Sequence, residues 1–165
     1  MAISCPANSR VVLVEFAFNS PNVEVISNDP SARGMAELVR GQASFEDVIT
    51  RDRGSRAHLV SAGQVGNDAN GLLQSQMLWG ALGALKQSYD HLVIDADSQS
   101  EIALAPVAAT APYAVLVGGE TPDNVVAALA GQLQSAGFAE VVVLTGPPPA
   151  LELAAAQSAA RQRVI

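Results

Sequence analysis

Short runs of β-branched and other apolar residues, with no polar residue alternating inside them, constrain the fold of this chain more than any other feature. Four such runs are Val11–Val14, Leu92–Ile94, Val115–Val117 and Val141–Leu144, and a weaker one is His58–Val60. Strands that are covered on both faces have this pattern, whereas half-exposed strands alternate apolar and polar residues. The runs therefore predict a parallel sheet with helices on both of its faces.

Segments with helical periodicity separate these strands. Leucine and methionine recur at three- and four-residue steps across Gly71–Ser88, and a proline-led segment predicts a second helix over Pro122–Ala136. Shorter helices are predicted over Ser31–Arg40 and Ser44–Thr50, and an alanine-rich helix over Ala150–Gln162. This alternation predicts an α/β fold, doubly wound, with a mostly parallel sheet of about five strands.

The length and charge of the chain narrow the functional classes. Its 165 residues fit one domain, and we expect a single α/β domain over residues 1–165. The formal net charge of −7 argues against nucleic acid as a partner, because phosphate backbones require clustered lysine and arginine. Cys5 is the only cysteine, which excludes a disulfide framework and a cysteine-based metal site. We expect a soluble, cytoplasmic chain with no direct membrane insertion.

Two of the predicted strands run directly into acidic residues. Glu15 follows Val11–Val14, while Asp95, with Asp97 two residues later, follows Leu92–Ile94. Ligands of open α/β sheets bind beyond the carboxyl ends of the strands, and a P-loop nucleotide hydrolase holds Mg²⁺ with acids in that position. The alternative is that such acids are solvated and simply begin turns. We therefore take Glu15, Asp95 and Asp97 as candidates for vestigial nucleotide or Mg²⁺ binding, and assign no catalytic residue and no metal ligand.

The sequence lacks the phosphate-binding motif that would complete such a site. A P-loop wraps phosphates with the backbone of a glycine-rich loop that ends in Lys-Ser/Thr, but Lys86, the only lysine, lies inside the helix predicted over Gly71–Ser88. His58 and His91 each begin a strand, away from the ligand-binding ends, and we interpret both as structural. We expect no cofactor; ATP and Mg²⁺ would bind only if a longer parent protein supplied a P-loop.

Several motifs follow one another in a characteristic order. Arg10–Pro21 joins an apolar strand to acid positions, and Tyr89–Asp95 is a Tyr-Asp pair followed by a strand that ends in an acid. Three further segments complete the series: Gly34–Ile49, Leu59–Gly63 and Leu104–Gly137. This series resembles the bacterial tyrosine kinases that form the cytosolic domains of exopolysaccharide chain-length determinant proteins. The resemblance spans about Arg10–Thr145 and implies the fold that these kinases share with Min/Par-type partitioning ATPases.

Departures from the family pattern decide the expected function. In the family, the P-loop strand, its lysine and the next helix come immediately before the strand that ends at Glu15, and only nine residues precede Arg10 here. The family's second acid falls on Ala17, its usual asparagine after the last strand falls on Thr145, and no tyrosine cluster occurs near Ile165. We expect a degenerate domain that is also truncated at its amino terminus.

Three functions are compatible with this resemblance. The first is a non-catalytic, kinase-like domain of an exopolysaccharide biosynthesis and export protein, acting through contacts with itself or with a membrane chain-length regulator. The second is a fragment of an active ATP-dependent tyrosine kinase or ATPase whose P-loop lies upstream, with Glu15 and Asp95 on Mg²⁺. The third is a Min/Par-like partitioning factor. We expect the first, in the cytoplasm or at the cytosolic face of the inner membrane.

Overall fold

The computed structural model describes residues 8–97 and 103–145. The chain divides into two compact units, Met1–Ala111 and Pro112–Ile165. The helix predicted over Ala150–Gln162 lies outside the described residues. Within the described ranges, no helix combines the length and the apolar character needed to span a bilayer.

The first unit is built from a four-stranded sheet and short helices. In chain order its elements are β1 Val11–Glu15, α1 Met35–Val39, α2 Phe45–Val48, β2 Ile49–Arg51, β3 His58–Val60, α3 Ala69–Gln74, α4 Gln76–Ser88, β4 His91–Asp95 and α5 Leu104–Thr110. The strand order is β2-β3-β1-β4, with β1 parallel to both of its neighbours and β2 antiparallel to β3. The predicted α/β fold is confirmed. The strands predicted over the apolar runs of this unit are confirmed as well.

The core of this unit lies on one face of the sheet. Val12 and Val14 of β1 are fully buried there, together with Leu78 and Leu82 from the apolar stripe of α4. Trp79 packs its edge against the ring of Phe16, with ring centroids 6.4 Å apart. Because each fully buried leucine or valine contributes roughly 1.5–3 kcal/mol, this face supplies most of the apolar stabilisation of the sheet.

Two predicted helices differ from the structure at identifiable residues. The helix predicted over Gly71–Ser88 is divided into α3 and α4 at Ser75, whose backbone is extended and whose hydroxyl accepts a hydrogen bond from Met77 N–H at 3.2 Å. Ser75 therefore caps α4, which is a role that competes with continuing a helix. The helix predicted over Ser44–Thr50 ends at Val48, because the β-branched Ile49 and Thr50 join β2 and pair with β3.

A close approach of two backbones fixes α1 against the loop that follows β3. Met35 N–H donates to the carbonyl of Ser61 at 2.8 Å. A Cβ atom on Gly34 would overlap the backbone nitrogen of Gly63 and the carbonyl oxygen of Ser61. Gly63 has a φ of +73°, which also favours glycine. The two glycines therefore set the depth at which α1 docks.

The second unit contains β5 Tyr113–Gly119, α6 Asp123–Ser135 and β6 Glu140–Thr145. The two strands are parallel and form a two-stranded sheet, and α6 connects them. Val126 of α6 lies against Gly118, so the helix covers one face of the sheet. Val115 and Val117, whose side chains lie on the opposite face of this sheet, are 59% and 71% exposed.

Candidate functional site

The carboxyl ends of β1 and β4 bring together the acids that the sequence pointed to. Glu15 and Asp95 are register partners in the parallel pair of strands, and Phe16 N–H donates to the carbonyl of Asp95 at 2.6 Å. Asp97 lies two residues beyond Asp95 and is close enough for its charge to act on that carboxyl. His58 and His91 begin β3 and β4 at the opposite end of the sheet, as predicted.

The Glu15 side chain is fully buried and bound by the backbone. One carboxylate oxygen accepts hydrogen bonds from the N–H groups of Asn22 and Val23, at 2.5 and 2.9 Å. The other oxygen accepts from Ala62 N–H at 2.9 Å. A carboxylate offers about four acceptor positions, so three of them are taken by amides. Glu15 therefore ties the segment after β1 to the segment after β3.

Asp95 differs from Glu15 in its electrostatic setting. Burial raises the pKa of the Asp95 carboxyl, and the negative charges of Glu15 and Asp97 raise that pKa further. These causes all favour the protonated form, or a cation beside the ionised form. A positive charge bound beside Asp95 would oppose these effects and lower its pKa.

The segment after β1 is apolar where the family pattern places a second acid. Phe16, Ala17 and Phe18 are all buried, and the two phenylalanine rings lie 5.7 Å apart between centroids. An ionised side chain at Ala17 would be costly in this setting, because burying a charge without a partner is strongly unfavourable. This segment anchors the loop to the core and presents no polar group beside Glu15.

The described residues form no all-protein metal site. Within residues 8–97 and 103–145, no group of three or more His, Cys, Asp or Glu could hold a metal ion. Mg²⁺ at a nucleotide site is held instead by one or two carboxylates together with phosphates and water, so the state of each acid decides whether it can serve. Glu15 is committed to backbone amides. Lys86 is exposed on α4 and donates from Nζ to the carbonyl of Thr110 at 2.7 Å, so it does not approach these acids with its ammonium group.

Glu37 is a second buried carboxylate at this end of the sheet, and it was not predicted from the sequence. Glu37 is 8% exposed and accepts hydrogen bonds from Gly34 N–H and Gln64 N–H, each at 2.9 Å. The Gly34-to-Glu37 spacing is that of a capping box, and this signal was available in the sequence. Glu37 joins α1 to the loop after β3, and Glu15 joins the segment after β1 to the same loop.

No family model matches the chain, and no curated protein sequence matches it significantly. Solved structures resemble it in fold. The VpsO kinase domain is 23% identical, with a TM-score of 0.68 over 82% of this chain and 70% of that chain. The kinase domain of the Escherichia coli tyrosine kinase ETK is 17% identical, with a TM-score of 0.70 over 87% of this chain and 58% of that chain.

A septum site-determining protein has a similar fold. MinD from Pyrococcus horikoshii, solved with Mg-ADP, is 21% identical, with a TM-score of 0.63 over 91% of this chain and 64% of that chain. The fold class is thus the P-loop, Min/Par-type α/β fold of bacterial tyrosine kinase domains and MinD-type ATPases, as the motif order predicted. The chain spans between 58% and 70% of the length of these three structures.

Proposed function

We propose that this chain is a non-catalytic, kinase-like domain that acts through protein contacts in exopolysaccharide biosynthesis and export. The observation that carries the proposal is Glu15, whose oxygens are bound by three backbone N–H groups in a fully buried position. The order of the sequence motifs supports the polysaccharide role, and the similarity to kinase domains supports the fold.

Phosphoryl transfer needs a phosphate cradle, a metal ion and acids that are free to bind it. The oxygens of Glu15 accept hydrogen bonds from backbone N–H groups, and the position of the family's second acid is occupied by the buried Ala17. The single lysine, Lys86, lies on α4. Asp95 and Asp97 then stand as vestigial members of a nucleotide site. The proposed domain therefore has no kinase activity of its own.

Protein contacts are supported by the uncovered face of the two-stranded sheet. Five of its side chains are aromatic or aliphatic and more than two fifths exposed, namely Tyr113, Val115, Val117, Val142 and Leu144. The exposed Glu140, beside Tyr113, lies at the end of this face. The register places Val115 beside Val142 and Val117 beside Leu144, so the patch is continuous. Contiguous exposed apolar patches mark interaction sites. We propose that the partner is a second copy or a membrane chain-length regulator, on the cytosolic side.

Calorimetry of the whole chain with ATP and Mg²⁺ tests the proposal. We expect no heat of binding, and no phosphotyrosine by mass spectrometry at Tyr89 or Tyr113 after incubation with ATP. Saturable binding that Asp95→Ala abolishes and the loop variant Glu120→Ala preserves would overturn it. Glu120 is an exposed residue with no role in the site, which makes it a matched control.

A second candidate is an active tyrosine kinase or ATPase that a longer parent protein completes with a P-loop segment. Within the described residues, β4 pairs only with β1 and β5 pairs only with β6, so each strand has one side without a described neighbour. Neither strand carries a lysine or an internal proline, which natural edge strands use against further pairing. Reading the gene upstream of Met1 for a Gly-x-x-x-x-Gly-Lys-Ser/Thr sequence separates this candidate from the first.

A further inference from the structure

A cavity of about 210 Å³ opens at the end of the sheet opposite the acids, where β1 and β3 begin. Its walls carry the basic and polar side chains of Arg10, Arg56, His58 and Tyr89, with Asn8 and Ser9 beside them. None of these residues takes part in the site around Glu15. The cavity is larger than the roughly 150 Å³ that holds benzene, yet smaller than the ~300–1,000 Å³ typical of pockets for whole cofactors.

Positive charge gathers at this end of an otherwise acidic chain. The net charge is −7, but four of the nine lysine and arginine residues precede β1, end β2 or lie in the loop between β2 and β3: Arg10, Arg51, Arg53 and Arg56. Arg51 is the register partner of His58. In the described part of the chain the one ion pair within 4.0 Å joins Arg10 and Asp90, at 3.6 Å, so Arg56 lines the cavity without an ion pair of this kind. Asp52 is the acid in the loop that carries Arg53 and Arg56.

His58 and Tyr89 form a polar pair in the wall of the cavity. Nδ1 of His58 is hydrogen-bonded to the Tyr89 hydroxyl, and the two rings meet edge to face. If Tyr89 donates, the neutral imidazole carries its proton on Nε2; if His58 donates, the phenol proton is free. Either arrangement leaves the pair with one further donor.

The electrostatics around this pair favour an anion. Burial lowers the pKa of His58, and the positive charge of Arg51 lowers it further. Burial raises the pKa of Tyr89, against the opposing effect of Arg10. Arg10 and Arg56 line the same cavity, and Asp90 is the acid that faces Arg10. A bound negative charge would oppose the effect of Arg51 on His58.

We propose that this cavity binds an oxyanion, a phosphate or carboxylate group carried on a small molecule, through Arg10, Arg56 and the donor of the His58–Tyr89 pair. Charge-assisted hydrogen bonds from arginine to phosphate and carboxylate are among the strongest in proteins, and both Arg56 and Arg10, which is also paired with Asp90, can donate them. A volume of about 210 Å³ holds such a group together with part of the small molecule that carries it. This site goes beyond the proposed function and does not depend on it.

Histidine NMR on the whole chain provides the test, because His58 and His91 are the only two histidines. Sodium phosphate, sodium acetate and sodium chloride are each titrated at constant ionic strength. We expect phosphate to shift the His58 resonances saturably and to raise the pKa of His58, while His91 changes little. Saturation with acetate as well would show that the site accepts oxyanions in general, and saturation with phosphate alone would show that it selects phosphate over carboxylate.

Matched variants distinguish specific phosphate binding in the cavity from a general effect of charge screening. Arg56→Ala should weaken phosphate binding about tenfold or more, since a charge-assisted hydrogen bond is lost. Arg53→Ala makes the same charge change in the same loop but does not line the cavity, so its affinity should stay within about twofold. Arg56→Lys, which keeps the charge, checks that the loop remains folded and should retain part of the affinity. Equal weakening by Arg53→Ala, or responses to phosphate that match those to chloride, would overturn the proposal.

Discussion

Single carboxylates organise the loops at the carboxyl end of the four-stranded sheet. Glu15 accepts hydrogen bonds from Asn22, Val23 and Ala62, and Glu37 accepts them from Gly34 and Gln64. In both cases a buried negative charge is compensated by amide dipoles from segments far apart in sequence. Such a charge stabilises a fold only while every partner is in place, which makes these positions sensitive to isosteric change.

Glu15→Gln is expected to destabilise the first unit by about 3 kcal/mol, because the amide keeps one acceptor oxygen and turns an NH₂ group toward backbone N–H groups. Urea unfolding followed by the fluorescence of Trp79 measures this change. Glu24→Gln is the matched control, since Glu24 is exposed and the same substitution there should fall within about 0.5 kcal/mol of the parent. Equal stabilities of the two variants would contradict the anchoring role.

Removing the charge of Asp95 is expected to stabilise the fold, whereas Glu15→Gln is expected to destabilise it, because the pKa of Asp95 is raised on folding. Burial first, and then Glu15 and Asp97, raise that pKa above the usual 3.8. The folded state thus holds the proton more tightly than the unfolded chain, and stability decreases as the pH rises from 3.8 through the folded-state pKa.

Asp95→Asn should therefore raise the urea midpoint at pH 7, and the advantage should vanish as the pH falls below about 3.8. Parallel urea curves for the two proteins across this pH range measure the difference. Glu120→Gln, in an exposed loop, should show no such pH-dependent gain. A gain at pH 7 that persists unchanged in acid would mean that the charge of Asp95 is not its source.

The sequence could predict where the acids lie but not what they bind. Parallel strands end at one edge, so Glu15 and Asp95 could be expected at the same edge of the sheet, whereas the pairing of β1 with β4, which makes them neighbours, comes from the structure. The amide partners of Glu15 could not be predicted, because Ala62 lies 47 positions away and is brought near only by the pairing of β1 with β3. The local sequence shows which side chain stands at the end of a strand. Its hydrogen-bond partners depend on the tertiary structure.

At the scale of elements, glycines divide into those that allow close packing and those that only weaken a helix. Gly34 has no room for a Cβ, which would overlap the backbone of Gly63, while Gly80 in α4 has open space around it. The same substitution should therefore have opposite effects at the two positions.

Gly34→Ala is expected to cost about 3 kcal/mol or more, because α1 must move away from the loop after β3. Gly80→Ala should stabilise the chain by roughly 1 kcal/mol, since alanine is the better helix former. Thermal and urea unfolding of both variants provide the measurement. A neutral Gly34→Ala variant would show that α1 does not require this contact.

The two ends of the helix predicted over Ser44–Thr50 show which local sequence signals hold in the structure and which are overridden by tertiary contacts. The capping box of Ser44 and Asp47 was predicted from spacing and is present, with the Ser44 N–H donating to the Asp47 carboxylate at 2.8 Å. The end of that helix was predicted too late, because Ile49 and Thr50 gain more from pairing with β3 than from another helical turn. Caps are local and predictable, whereas strand pairing depends on a partner elsewhere in the chain.

At the scale of the whole molecule, the second unit has little core of its own. Among its described residues, 112–145, Val126 is the one buried hydrophobic residue, and the sheet has two strands. A two-stranded sheet with one helix is marginal in water, since stability rises with the apolar area removed from solvent. We propose on this ground that both units belong to one cooperative domain.

We expect a single unfolding transition shared by the two units. Trp79 is the only tryptophan and reports on the first unit, while a Trp79→Phe/Tyr113→Trp variant carries its probe on β5. Cooperative unfolding requires the two fluorescence curves in urea to coincide with each other and with far-ultraviolet circular dichroism of the same variant. The Trp79→Phe variant with Tyr113 retained controls for the loss of the buried indole. A signal from β5 that is lost at lower urea than the signal from Trp79 would show that the second unit unfolds independently, and the single-domain proposal would fail.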